Sequence, residues 1–253
     1  MTENKPYGTV ILRAKQILDF LEHEDQPVNL QKIYTSLNTS KSTVLKILNT
    51  LCMIDFVKRE EGTKRYTLGT KLISYGEAAK KSFSVISIAE PYLIELNEKI
   101  GETVHLGVYD RDQIIYIKKL NAKSRIILRS QVGHSVDLYC SAMGKAYLAE
   151  QDEAEILSYL DRVKIVKKAR NTICDKEHLL QELQMTRQRG YASDDQENED
   201  DIFCVAVALK SSQALEGLIS VSSPLFRLSD EKKEQIIERL KETKQQIEQK
   251  LNR

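Results

Sequence analysis

The sequence contains few cysteines and no closely spaced pair of them. The four, Cys52, Cys140, Cys174 and Cys204, are scattered along 253 residues. Zinc knuckles and disulfide frameworks need thiols that recur at short spacings. The pattern therefore argues against both classes of protein and indicates reduced thiols.

Long apolar runs are also missing. No segment approaches the roughly 20 consecutive apolar residues that a membrane-spanning helix requires, and Met1 to Val10 lacks the apolar core of a secretory signal peptide. With 41% hydrophobic and 30% charged residues, the composition is typical of a soluble globular protein. These observations predict a cytoplasmic protein with no membrane partner, long enough for two domains.

Acidic residues are absent from one part of an otherwise balanced chain. The net charge is only +1, yet residues 28–54 contain Lys32, Lys41 and Lys46 and no acid. By contrast, six carboxylates lie within the eight residues 194–201. Such an uneven distribution predicts different partners for the N-terminal part and for the rest of the chain.

Three short helices are predicted in the N-terminal part. Residues 9–23 show apolar side chains at helical spacing, and Asn29 can cap a helix that runs to Ser36. A three-residue turn then leads into a third helix over residues 40–53. This order of helices and turn is typical of a helix-turn-helix.

The polar face of the third helix predicts DNA binding, because hydroxyl, amide and ammonium groups contact phosphates and base edges in the major groove. A hairpin with a basic tip follows, as in a winged helix, and its cations would add phosphate affinity without base recognition. The predicted DNA-contacting residues are Ser40, Lys41, Ser42, Thr43, Lys46 and Asn49 on the helix and Lys58, Arg59, Lys64 and Arg65 on the hairpin. The alternative is a three-helix core with an ordinary polar face.

The remainder of the chain mixes helices and strands. A connecting helix is predicted over residues 71–82 and a second over 85–100, with Gly101 as its C-cap. Strands at 103–109 and 114–120 would pair as a hairpin. The further predicted strands are 125–130, 202–210 and 216–222, and the further helices are 141–150, 153–160, 176–189 and 230–251. Together these elements predict an α+β domain around an antiparallel sheet.

Seven stretches carry a resemblance to a known family and lie, in order, along nearly the full length of the chain: RAKQILDFL, SKSTVLKILNTL, RYTLG, IAEPYLIELNEKIGETVHLGVYD, CSAMGKAYLA, GYASDDQENEDDIFCVAVAL and ISVSSP. On these stretches the sequence resembles the IclR family of bacterial transcriptional regulators. The resemblance implies an α+β protein with a winged helix-turn-helix in residues 1–69, a linker helix in 70–84, and a GAF-like effector-binding and oligomerisation domain in 85–253.

The same resemblance implies a function. Such a protein would bind palindromic double-stranded operator DNA as a homodimer or homotetramer, repress transcription, and respond to an organic acid or sugar-derived acid. No enzymatic activity and no cofactor are expected. Where many members carry arginine, this sequence has Lys46, so a point charge on a phosphate is expected rather than a bidentate contact to guanine.

Effector-binding positions also follow from the resemblance: they are Ala142, Met143, Asp194, Cys204, Ser220 and Ser222. The residue types agree, because Ser220 and Ser222 lie two apart on a strand and share a face. Backbone N–H groups at Ala142 and Met143 would hold a carboxylate if a helix starts there. The five acids after Asp194 are interpreted as a solvated turn. Structural roles for the serines and for the cysteine remain open.

Two alternatives from other functional classes also remain open. A metal-dependent sensor could use clustered ligands, although the D-x-D-x-D-G spacing of a calcium loop is missing. These ligands would be Asp194, Asp195, Glu197 and His134. A cysteine enzyme could pair a thiol nucleophile with a histidine base, although no nucleophile motif is present. Its candidates are Cys204 or Cys140, with His105 or His134.

Overall fold

The computed structural model describes residues 7–124 and 127–252. The chain divides into two compact units, and the boundary between them falls between Ser82 and Phe83. This boundary lies inside the predicted linker of residues 70–84. The division into a DNA-binding domain, a linker helix and an effector-binding domain stays a prediction. Two segments with sequence predictions lie outside the described residues. They are residues 1–6, part of the segment that was predicted not to be a signal peptide, and residues 125 and 126 of the predicted strand 125–130.

In its described residues, from 7 onward, the N-terminal unit contains four helices and a two-stranded hairpin. In chain order they are α1 (Thr9–Glu22), α2 (Leu30–Ser36), α3 (Lys41–Met53), β1 (Val57–Arg59), β2 (Tyr66–Leu68) and α4 (Lys71–Lys80). The side chain of Asn29 accepts the N–H of Lys32, and that of Ser40 accepts the N–H of Thr43. Both side chains satisfy backbone donors that a helix start leaves unpaired. The predicted N-cap Asn29 is confirmed, and Ser40, predicted as the first residue of the third helix, is its N-cap.

The apolar faces of the first three helices form the core of this unit. Ile33 of α2 and Leu48 of α3 have no exposed surface, and Ile17 of α1 packs with them. The hairpin joins the same core, because Tyr66 is buried and pairs with Val28 in an isolated bridge. The hydrophobic spacing read from the sequence therefore places the polar face of α3 outward.

The C-terminal unit contains a six-stranded antiparallel sheet. Its elements are α5 (Ser84–Ile100), β3 (Thr103–Asp110), β4 (Gln113–Leu120), β5 (Ser135–Asp137), α6 (Ala142–Leu148), α7 (Glu153–Arg162), α8 (Lys176–Arg189), β6 (Ala192–Asp195), β7 (Ile202–Lys210), β8 (Leu215–Pro224), a 3₁₀ turn (Leu225–Arg227) and α9 (Asp230–Leu251). The strand order is β5-β4-β3-β8-β7-β6.

Helices cover both faces of the sheet. Leu106, Val205 and Ile219 belong to one cluster of buried side chains, which they share with α5 and α9. Ala206 and Leu218, the neighbours of Val205 and Ile219 along the strands, belong to a second cluster with α6, α7 and α8. Because successive strand residues point to opposite faces, β7 and β8 supply both cores at once.

The strand predictions needed three corrections. First, no strand forms over residues 127–130, the described part of the predicted strand 125–130. Second, the unpredicted strand β5 forms further along the chain. Third, the unpredicted strand β6 begins before the acidic residues and includes Asp194, which pairs with Cys204 of β7. Serine and aspartate rarely favour strands, but pairing with the buried strand β7 overrides this local preference.

Among the described residues, no helix is long and apolar enough to cross a membrane.

Close packing requires glycine at one position of α6. A Cβ atom built on Gly144 would lie 2.2 Å from the Cα atom and 2.4 Å from the carbonyl oxygen of Leu138. These are backbone atoms, so they cannot rotate away as a side chain can. The fit of α6 under the sheet therefore depends on the missing side chain.

We expect Gly144→Ala to lower the free energy of unfolding of the C-terminal unit by about 1–3 kcal/mol, because the added methyl group overpacks the core. Urea titration followed by circular dichroism measures the effect. Gly76→Ala in α4 is the control, since its Cβ would meet nothing within 4 Å. That exposed helix should gain up to about 1 kcal/mol. A free energy of unfolding for Gly144→Ala equal to that of the wild type would disprove the packing argument.

Candidate functional site

The polar face of α3 is exposed as the sequence predicts. Lys41, Ser42, Lys46 and Asn49 are exposed, whereas Val44, Ile47 and Leu48 are buried. The Ser40 hydroxyl lies 2.8 Å from that of Thr43 and caps the helix at the Thr43 N–H. Ser40 and Thr43 therefore stabilise the first turn of α3, and the exposed face presents ammonium, hydroxyl and amide donors.

The basic hairpin is closed by two backbone hydrogen bonds. Glu60 N donates to Arg65 O and Lys64 N donates to Glu60 O, each at 2.9 Å. All four predicted cations, Lys58, Arg59, Lys64 and Arg65, are exposed. Two of them also contact the protein: Arg65 Nη1 lies 3.4 Å from the carbonyl oxygen of Pro27, and the Arg59 guanidinium lies 5.7 Å from the centre of the Tyr66 ring.

A groove of about 490 Å³ connects the hairpin to the helices. Its lining includes Lys41 from α3, Arg59 from β1 and Lys64 from the hairpin loop. The structure thus brings cations from the predicted reading helix and from the predicted wing to one groove. Clustered cations on one surface are the electrostatic feature that attracts a phosphate backbone.

The C-terminal unit contains a cavity of about 190 Å³ against one face of the sheet. Three of the six predicted effector residues, Asp194, Cys204 and Ser222, line this cavity. The other polar lining residues are His105, Tyr116, Arg129, Ser130, His134, Ser135, Asn198 and Glu199. The cavity therefore combines carboxylate, imidazole, hydroxyl, amide, thiol and guanidinium groups, a mixture suited to a small polar molecule.

Ser220 lies one side chain away from the cavity. It is buried, and its Oγ atom lies 3.4 Å from His105 Nδ1. The other ring nitrogen, His105 Nε2, lies 2.8 Å from Ser130 Oγ. Burial and, to a smaller extent, the nearby Lys119 lower the pKa of His105 to about 3, so the imidazole is neutral at pH 7. Ser220 contacts the cavity wall through this histidine.

Ala142 and Met143 do not line the cavity. Both are buried in the core beneath the sheet, where α6 begins. The Ser141 hydroxyl caps this helix by accepting the N–H of Gly144 at 3.0 Å. Cys204 packs against the same buried cluster, but neither Ala142 nor Met143 lines the cavity, so the proposed carboxylate contact at these two residues stays a prediction.

Asp194 is buried and shapes the loop that follows it. Its Oδ1 atom accepts the N–H of Glu197 at 2.7 Å and that of Asn198 at 3.3 Å. Burial raises the pKa of Asp194 to about 6, although these two hydrogen bonds and Lys145 favour the ionised form. The carboxyl group therefore closes a turn and also borders the cavity.

The prediction of a solvated turn is wrong for Glu197. This side chain is only 7% exposed, and its Oε1 atom lies 2.5 Å from the Nζ atom of Lys145, which is fully buried. Burial raises the pKa of Glu197 to about 7, with the Lys145 ammonium acting in the opposite direction. The turn interpretation fits Asp195, Glu199, Asp200 and Asp201, which are exposed. Sequence reasoning missed Lys145, although a lone lysine in the apolar stretch CSAMGKAYLA was a detectable signal.

The two thiols of the enzyme hypothesis are poorly suited to nucleophilic attack. Burial raises the pKa of Cys140 to about 12 and that of Cys204 well above its ordinary value. Cys204 donates to Ser222 Oγ at 3.1 Å, and Cys140 donates to the amide oxygen of Asn198 at 3.7 Å. Because the thiolate is the reactive form, neither environment activates a nucleophile.

The metal hypothesis gains no support from the geometry. In the part of the chain that the structure describes, no three His, Cys, Asp or Glu side chains converge as a metal site would require. Asp194 uses its carboxylate on backbone N–H groups and Glu197 uses its own on Lys145. The adjacent acids of the loop thus point to different partners.

The histidines and the loop residues of the cavity were not predicted as effector contacts. His105 lies opposite Ser220 in the β3–β8 register, and Ser222 lies opposite Cys204 in the β7–β8 register. Sequence reasoning paired β3 with β4 but left the partner of β8 open. A correct β3–β8 pairing would have placed His105 beside the predicted serines.

Comparisons with known proteins match both units. Residues 10–61 match the family model of the IclR helix-turn-helix domain, and residues 77–249 match that of the bacterial transcriptional regulator IclR C-terminal domain. The HTH-type transcriptional regulator KdgR of Escherichia coli is 31% identical over 229 residues, which cover 90% of this chain and 86% of KdgR. The DNA-binding transcriptional repressor YiaJ of the same organism is 30% identical over 254 residues, covering 98% of this chain and 90% of YiaJ.

The fold agrees with these matches. The crystal structure of Thermotoga maritima IclR superposes with a TM-score of 0.82 and 35% identity, covering 98% of this chain and all of that one. Both KdgR and YiaJ are transcription regulators. The exposed donors of α3, the basic hairpin beside it and the matches over both units lead to one conclusion: the chain belongs to the IclR family of DNA-binding transcriptional regulators.

Proposed function

We propose that this regulator acts in the cytoplasm as a repressor, binds a palindromic operator as a homo-oligomer, and changes its DNA affinity when a small organic acid occupies the cavity of the C-terminal unit. The observation that carries the proposal is the cavity, in which acidic, basic and hydroxyl groups from five strands and two loops face the same small space. Repression is supported by the relative YiaJ, which is a DNA-binding transcriptional repressor.

The composition of the cavity favours a ligand with both an acidic and a hydroxylated part. The Arg129 guanidinium can pair with a ligand carboxylate, whereas Asp194 and Glu199 would repel one and accept hydrogen bonds from hydroxyl groups. The uncharged Ser222 hydroxyl can form a hydrogen bond with either the acidic or the hydroxylated part of the ligand. A sugar-derived or hydroxylated aromatic acid meets all of these requirements.

The response would be a shift between conformations. A ligand changes the population of two arrangements only by the difference between its affinities for them. A cavity that closes around the acid in one arrangement of the oligomer would therefore favour that arrangement. Because palindromic operators require a fixed spacing of two reading helices, the other arrangement would bind DNA less tightly.

Self-association is supported by exposed apolar side chains of the N-terminal unit. Val10, Ile11 and Met53 are 62%, 74% and 84% exposed. Val10 and Ile11 border a groove of about 610 Å³ between α1 and α3, and the groove is lined mostly by apolar side chains. Clustered exposed apolar groups of this kind are typical of protein interfaces, since their contact with water is unfavourable.

Lys46→Ala should weaken binding to the regulator's own promoter DNA, because one ammonium no longer releases a counterion from a phosphate. The slope of log affinity against log salt concentration should fall by about 1. Fluorescence anisotropy at several salt concentrations measures both quantities. Lys80→Ala in α4 removes an equally exposed helix lysine that pairs with Glu77 and serves as the control. An unchanged slope for Lys46→Ala would exclude Lys46 from the DNA interface.

A thermal-shift screen of sugar-derived and aromatic carboxylic acids should identify a stabilising compound, since a ligand at 100 times its dissociation constant adds about 2.7 kcal/mol. Ser222→Ala should weaken binding of that compound about 5- to 30-fold by removing a hydrogen bond in the cavity. Ser223→Ala is the matched control, because Ser223 is also buried but does not line the cavity. Equal losses in the two variants would show that the compound binds elsewhere.

Ile11→Asp should reduce the oligomer mass measured by light scattering, because it places a charge in the apolar surface. Gln16→Asp adds the same charge at an exposed polar position of α1 and should keep the wild-type mass. If Ile11→Asp also keeps the wild-type mass at all protein concentrations, this surface takes no part in assembly.

A further inference from the structure

Lys145 is a fully buried cation in the short helix α6. Its side chain has no exposed surface, and its Nζ atom lies 2.5 Å from Glu197 Oε1 and 3.5 Å from Glu182 Oε1. Burying an ammonium group costs much free energy unless carboxylates compensate its charge. A protein with well-packed apolar residues in place of a buried ion pair is often at least as stable. A role beyond stability is therefore a reasonable expectation for Lys145.

The first carboxylate partner belongs to the loop that borders the cavity. Asp194, Asn198 and Glu199 line the cavity, whereas Glu197 does not. The side chain of Glu197 instead points to Lys145 under the sheet. Glu197 thus anchors the loop in the core, while Asp194 before it and Asn198 and Glu199 after it face the cavity.

The same residue is also held through its backbone. Glu197 N donates to Asp194 Oδ1, and Glu197 O accepts the Thr172 hydroxyl at 2.6 Å. Gln196, directly before it, has the left-handed φ of 60°. Such a backbone is unfavourable for a residue other than glycine and persists only where surrounding contacts hold it.

The second carboxylate partner belongs to a different element. Glu182 lies on α8, and its Oε1 atom also accepts a hydrogen bond from Arg189 Nη2 at 2.6 Å. Neither Glu182 nor Arg189 lines the cavity. Lys145 therefore connects two carboxylates, of which only Glu197 belongs to the cavity loop.

We propose that Lys145 is a positioning residue for the effector cavity: by binding Glu197 it fixes the loop of residues 194–201, and so sets where Asp194, Asn198 and Glu199 face the ligand. The proposal rests on the proposed function in one respect, that the cavity holds the effector. Lys145 itself does not touch the ligand. It acts through Glu197 and through the turn that Asp194 closes around the Glu197 N–H.

The test compares two glutamates that share one lysine. Glu197→Gln and Glu182→Gln each remove one carboxylate charge from the Lys145 ammonium, but only the first lies in the loop. Lys145→Met leaves Glu197 buried without its cation, and that variant can fail to fold. The double variant Lys145→Met/Glu197→Gln avoids this, because Glu182 keeps Arg189 as its partner.

Two readouts on the full-length protein need no effector. The first is hydrogen–deuterium exchange of the amides in residues 194–201, with residues 203–209 of β7 as the internal reference for global stability. The second is the rate at which N-ethylmaleimide alkylates Cys204, which lines the cavity, followed by peptide mass spectrometry. A residue that only stabilises the fold would change exchange in the loop and in β7 alike.

We expect about tenfold faster exchange of the loop amides and about tenfold faster Cys204 alkylation in Glu197→Gln and in the double variant, because the turn opens more often. Glu182→Gln should keep wild-type rates in both measurements, and β7 should be unchanged throughout. Wild-type loop exchange in the double variant, or an equal increase in Glu182→Gln, would overturn the positioning role. A failed acid screen would refute the effector proposal alone, since neither readout uses a ligand.

Discussion

The pairing of β7 with β8 is the constraint on which the C-terminal unit depends. In this register Val205 lies opposite Val221, and Cys204 lies opposite Ser222. The valines belong to the core shared with α5 and α9, while Cys204 and Ser222 face the cavity. A shift of one residue would exchange the two faces, placing thiol and hydroxyl groups under α9 and valines in the cavity. The same pairing therefore determines both the packing of the unit and the chemistry of its cavity.

Buried charge is the second organising feature of this unit. The acidic stretch that begins at the end of β6 looks like a single cluster in the sequence, but its members have separate roles in the fold. Asp194 accepts two backbone N–H groups, Glu197 binds a buried lysine, and the remaining acids are exposed. Since adjacent side chains of a turn point in different directions, sequence proximity is a poor guide to a shared site. The carboxylates of the acidic stretch contribute to a turn, to a contact in the core and to the wall of the cavity.

The N-terminal unit follows more directly from local signals. Asn29 and Ser40 cap their helices, and Ile33 and Leu48 are buried at the helical spacing expected from the sequence. Each of these features depends on residues within one or two helical turns, so periodicity and capping rules could predict them. The groove that joins Lys41 to Arg59 and Lys64 depends on how the hairpin packs beside α3. The sequence predicted the cations themselves, but it did not predict that they would line one groove.

The sequence by itself determined the helices, the hairpins, the α+β class and the family. Of the six effector positions predicted from it, Asp194, Cys204 and Ser222 line one cavity. Only the tertiary structure decided that His105 lines the same cavity, that Ala142 and Met143 do not, and that Glu197 turns inward to Lys145. The physical reason is range: helix caps and apolar periods act over a few residues, whereas strand order and the pairing of buried charges join residues far apart in the chain.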